Sequence, residues 1–107
     1  MADLQAGLEA ELSGRAARIA AAVRAAWPDA RVAVADDSAR HEGHAGARPE
    51  GETHYLLQVV SEAFAGLSRV ERSRAVHRLL AAEFAGGMHA LNLALLTPEE
   101  AARPAAR

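Results

Sequence analysis

From the start of the chain the apolar residues recur at Leu4, Leu8, Leu12, Ala16, Ile19, Val23 and Trp27, spacings of three and four that set them along one helical face. The spacing predicts a helix over 3–27. Pro28-Asp29 ends it, because the residue before a proline is pushed out of the α region, and Ser13-Gly14 weakens it midway. Val32 and Val34 then alternate with small or charged residues, which predicts a strand over 31–35 with one face covered. Residues 36–51 carry three glycines, a proline and almost nothing to bury, so they read as a long loop, and loops of that length tend to be functional or disordered. A second strand follows over 53–61, with Tyr55, Leu57 and Val59 facing one way and Leu56, Gln58 and Val60 the other.

Beyond the turn at Phe64-Ala-Gly66, Ser68-Arg-Val-Glu71 has the form of a capping box and opens a helix over 68–85 that Gly86-Gly87 stops. At about 100° per residue, Val70, Ser73, Val76, His77, Leu79, Leu80 and Phe84 share one arc, opposite Glu71, Arg74, Arg78 and Ala82. A third strand spans 88–96, placing His89, Leu91, Leu93 and Leu95 on one face. Thr97-Pro-Glu-Glu100 is a second capping signature, opening a short helix over 98–103. The order is αββαβα within one α/β (α+β) domain over 1–107. Three strands have too few helices to shield both faces, so the helices are expected on one side of the sheet, leaving the other partly open.

Composition narrows the function. Of the 107 residues 28 are alanine and only four are aromatic, so the core must be small. All 12 basic residues are arginines; set against 14 acidic ones they leave a net charge of -2 and no global field to attract a polyanion. Without cysteine, the chain has no disulfide, thiol nucleophile or thiolate ligand of its own. It has no apolar run of 18 or more residues, so no membrane span is expected. Met1-Ala-Asp-Leu-Gln5 lacks the features of a secretory signal, which makes a cytoplasmic protein the expectation.

Histidine is the one concentrated chemical resource, at positions 41, 44, 54, 77 and 89. His77, on the apolar arc, reads as a packed core residue, and His54 as a residue that orders the loop end. His41 and His44 form an H-x-x-H pair, a weak metal signal in a loop, since a structural zinc site needs four ligands. His89 follows two glycines at the start of a strand, where its ring can lie near an edge. Arg69, Arg72, Arg74 and Arg78 suggest phosphate contacts, but Glu71 interrupts them and their angles do not form one patch. No nucleophile elbow, phosphate-binding loop or dinucleotide fingerprint is present, and the adjacent Asp36 and Asp37 diverge at a strand end. Enzymatic activity is not expected.

Several strings, in order, carry a resemblance: Asp36-Asp-Ser-Ala-Arg-His41, Glu52-Thr-His-Tyr55, Val59-Val-Ser-Glu-Ala-Phe-Ala-Gly66, Val70-Glu-Arg-Ser-Arg74, and Met88-His-Ala-Leu91 with Thr97-Pro-Glu99. Together they resemble the BolA family over nearly the whole chain. The resemblance implies a class II KH-like fold with a three-stranded mixed sheet and helices on one face. It also implies a monothiol glutaredoxin as partner, with a bridging 2Fe-2S cluster shared with that glutaredoxin and glutathione, in cluster trafficking or iron-responsive regulation. The alternative it carries is a DNA-binding transcriptional regulator using the second helix, with Arg69, Arg72, Arg74 and Arg78 on phosphates. By the same resemblance His89 is a cluster ligand, and a loop histidine is the second: His41 by position after the Asp-Asp-Ser string, or else His44. Alone, the chain is expected to be a monomer or weak homodimer. One departure is Ser73, where the family commonly has histidine within Arg-His-Arg.

Overall fold

A computed structural model describes residues 14–36 and 54–103. Helix α1 spans Gly14–Ala26, strand β1 Arg31–Asp36, β2 His54–Val60, helix α2 Arg69–Leu79, α3 Ala81–Ala85, β3 Ala90–Leu96 and α4 Pro98–Ala102, with a 3-10 turn at Glu62–Phe64. The elements match the expected order within a residue or two at most ends. The first half of the predicted 3–27 helix lies outside the described residues, as does nearly all of the 36–51 loop.

The sheet order is β1-β2-β3, antiparallel between β1 and β2 and parallel between β2 and β3. A parallel pair cannot be joined by a tight turn, so the chain crosses over through α2 and α3. On β2 the expected alternation holds: Tyr55, Leu57 and Val59 are buried toward the helices, while Leu56 and Gln58 are exposed. Val60 is the exception, buried at the strand's end. From α1, Ala16, Ile19 and Val23 fill the same core, joined by Phe64, Val76, Leu80 and Met88. Phe64 is wholly buried and meets Trp27 edge to face at 5.2 Å, a placement worth about 1.5–3 kcal/mol for the phenyl ring alone. Among the described residues nothing packs over the other face, which presents Ala33, Ala35, Leu56, Gln58, Asn92 and Ala94.

Both predicted capping boxes are formed. Ser68 Oγ accepts from the Glu71 amide and Glu71 accepts in return from the Ser68 amide; Thr97 and Glu100 repeat the arrangement. A third tie was not anticipated: Asp29, just past α1, accepts from Ser61 Oγ and the Glu62 amide, both at 2.8 Å. The Glu62 amide first, then the Ser61 hydroxyl, hold the Asp29 carboxyl below its usual range.

The second helix departs from expectation in two ways. It breaks at Leu80, giving α2 and α3 in place of one helix over 68–85. Its buried face is also turned from the expected arc: Arg72, Val76 and Leu80 are inside, whereas Val70 is 56% exposed and His77 is exposed. The expected arc left out Arg72 and ran through Val70, Ser73 and His77, about 50° away from the observed Arg72–Val76–Leu80 stripe. His77 is therefore not a core histidine; its ring lies against Phe84, with centroids 5.1 Å apart.

Candidate functional site

The turn before β3 is built to hold one residue outward. Gly87 has φ +119, a conformation that favours glycine, and next to it Met88 is 4% exposed, its side chain anchored in the core. The Met88 amide donates to the Glu83 carbonyl at 3.0 Å. Arg15 of α1 donates to Glu83 Oε1 and to the Gly86 carbonyl, both at 2.9 Å, and Arg18 reaches both oxygens of the Glu83 carboxylate. Arg18 first, then Arg15, hold the Glu83 carboxyl below its ordinary range, against a smaller opposing effect of burial. The turn is thus pinned on one side by a buried methionine and on the other by two arginines. His89, the next residue, is exposed.

Strand register decides what surrounds His89. Parallel pairing sets His54 opposite Ala90, and antiparallel pairing sets Asp36 opposite Tyr55. The chain therefore leaves β1 at Asp36 and re-enters at His54 at the same end of the sheet that carries His89. The ring of His54, half-buried, lies with its centroid 6.0 Å from that of His89, the two planes 7° from parallel. His54 was assigned only a loop-ordering part from sequence. Nothing in the linear chain brings positions 54 and 89 together; the parallel β2–β3 register does. His41 and His44 lie outside the described residues.

The four arginines of the second helix separate into two kinds. Arg69, Arg74 and Arg78 are exposed. Arg72 is not a surface residue, which corrects its assignment to a nucleic-acid-binding set. Its guanidinium donates to the Leu67 carbonyl at 3.0 Å, to the Leu95 carbonyl at 3.0 Å and to both Glu100 oxygens at 2.7 and 3.2 Å, and it sits over the Phe64 ring. Arg72 first, then the Thr97 amide, hold the Glu100 carboxyl down to about 2. With its donors spent on α4 and the β3 end, Arg72 serves the fold. Among the described residues no group of three or more histidine, cysteine or acidic side chains could hold a metal, so a cluster needs donors beyond them. No helix among them is long and apolar enough to cross a membrane.

Comparison with known proteins bears on the family and the fold. The family model described as BolA-like protein matches residues 23–100. SufE-like protein 1, chloroplastic/mitochondrial, of Arabidopsis thaliana is 39% identical over 93 residues, covering 83% of this chain but only 25% of that protein. The UV-induced protein uvi31 of Schizosaccharomyces pombe is 40% identical over 91 residues, covering 81% of this chain and 89% of that protein. Among solved structures, the BolA domain of SufE1 from Arabidopsis thaliana superposes with a TM-score of 0.75 at 38% identity, covering 83% of this chain and 98% of that domain. The chain belongs to the BolA-like protein family.

Proposed function

We propose that this chain is the non-catalytic partner of a monothiol glutaredoxin, contributing His89 and one loop histidine, His41 or His44, to a 2Fe-2S cluster that the two proteins share. The role is in cluster trafficking or iron-responsive regulation. The observation that carries it is the exposure of His89 on a turn braced by Met88, Arg15 and Glu83, at the sheet end where residues 37–53 begin and finish. A sealed imidazole could not meet a partner's iron; this one can.

The donor chemistry fits. A 2Fe-2S cluster is usually held by thiolates, and imidazoles on one iron raise its reduction potential. The 107 residues hold no cysteine, so the thiolates come from the glutaredoxin's cysteine and from glutathione. This chain's own part is to present ring nitrogens in the neutral form, which makes the complex weaken as pH falls through the histidine range. A reducing compartment such as the cytoplasm keeps the partner's sulfur available as thiol, and we place the protein there.

The test mixes the purified chain with a cluster-loaded monothiol glutaredoxin and follows visible absorption and circular dichroism. The spectrum is expected to change with the unmodified chain and to stay that of the glutaredoxin alone with His89→Ala. A full spectral change with His89→Ala would remove His89 from the iron.

A further inference from the structure

Where β3 ends, it meets the start of α2 and the end of α4 around one cleft of about 400 Å3. Leu67, Leu95 and Leu96 give the cleft an apolar lining, each of them half-buried and so open to a ligand in part. Arg69, the first residue of α2, and Arg103, the residue after α4, line it as well, and both are exposed. A concave site of about 300–1,000 Å3 that combines apolar walls with a few polar groups is the usual form of a small-molecule pocket. We propose that this cleft binds a small organic phosphate monoester, with its phosphate at Arg69 and Arg103 and its apolar part against the three leucines.

Charge selects the ligand. Among the described residues Glu100 is the one acidic residue lining the cleft, and both its oxygens are taken by Arg72, at 2.7 and 3.2 Å. Arg69 and Arg103 have no carboxylate within ion-pair distance among the described residues. The cleft therefore carries two uncompensated guanidinium groups on a chain whose net charge is -2. Each presents N–H groups in a planar fork that matches phosphate oxygens. A phosphate monoester, at about -1.5 to -2 near pH 7, balances both arginines, whereas a single carboxylate balances one. His89 stands at the opposite end of β3, about 20 Å from Leu95 at about 3.3 Å per residue, so the site rests on neither a glutaredoxin nor a cluster.

The experiment titrates phenyl phosphate into the full chain at about pH 7.5, where the probe is a dianion, and follows the backbone amides by NMR, with the ligand-free spectrum as a check of folding. The amides over 67–72 and 95–103 are expected to shift and to saturate with one ligand per chain. Inorganic phosphate should bind at least about threefold more weakly, because it has no ring to place on the leucines, and phenol should move nothing. Arg69→Gln and Arg103→Gln, which leave the Arg72–Glu100 pair intact, should each weaken phenyl phosphate at least about fivefold. Arg74→Gln, on the same helix but outside the cleft, should stay within about twofold of the unmodified chain. Shifts that do not saturate, or an affinity that neither Arg69→Gln nor Arg103→Gln lowers, would overturn the proposal. So would an Arg74→Gln loss equal to theirs, or inorganic phosphate binding as tightly as phenyl phosphate.

Discussion

Arg72→Ala is expected to destabilise the protein severely while sparing the exposed arginines' surface. The guanidinium serves the Leu67 and Leu95 carbonyls and both Glu100 oxygens. Truncation strands the two carbonyls, each bonded to a charged donor and worth about 1–2 kcal/mol. It also leaves Glu100 without its cation. Breaking a fully buried pair costs about 3–5 kcal/mol, but the Glu100 side chain is 32% exposed and can be rehydrated, so the whole loss should be smaller than a simple sum. About 2–4 kcal/mol remains. With a urea dependence of about 1–1.5 kcal/mol per molar for a domain of this size, the unfolding midpoint should fall by roughly 2 M. Arg72→Met, which keeps the stem over Phe64, should lose somewhat less. A midpoint unchanged within about 0.5 kcal/mol would refute the reasoning and return Arg72 to the surface, where most substitutions have such small effects.

Two further outcomes follow from the ties between elements. Glu83→Gln keeps the shape of the side chain but removes the charge on which Arg15 and Arg18 converge, so it should cost about 1–2 kcal/mol and speed amide exchange at Gly86 and Gly87; unchanged exchange there would show that Met88 alone holds the turn. Glu100, Glu83 and Asp29 all titrate below their ordinary range in the folded protein, so the stability they contribute is present above the unfolded carboxylate range at about 4.3 and is lost as pH falls toward the folded value, about 2 for Glu100. Glu100→Gln should flatten the fall in urea midpoint between pH 5 and about 2.5, and an equally steep fall would mean that Glu100 is not held down by Arg72.

Local features were legible along the chain and long-range ones were not. Ser68-x-x-Glu71 and Thr97-Pro-x-Glu100 became caps as read, because a capping box is closed by residues three apart whatever the rest of the fold does. The alternation through Tyr55, Leu57 and Val59 was likewise readable, since a strand beneath helices must present one apolar face. Arg72 misled because charge predicts exposure only where no acceptors wait inside; Leu67, Leu95 and Glu100 come from three separate segments. The same offset of the arc placed His77 inward. His89 could be singled out from its motif, yet its neighbour His54 depends on the β2–β3 register, and Asp29 meets Ser61 only once β1 and β2 have paired.

The most direct measurement is of iron, sulfide and protein in the complex recovered when the chain and a monothiol glutaredoxin are produced together. The account predicts a coloured heterodimer with two irons and two sulfides per pair of chains, and loss of both from the His89→Ala complex. A colourless pair, or a His89→Ala complex that keeps its full complement of iron, would contradict it.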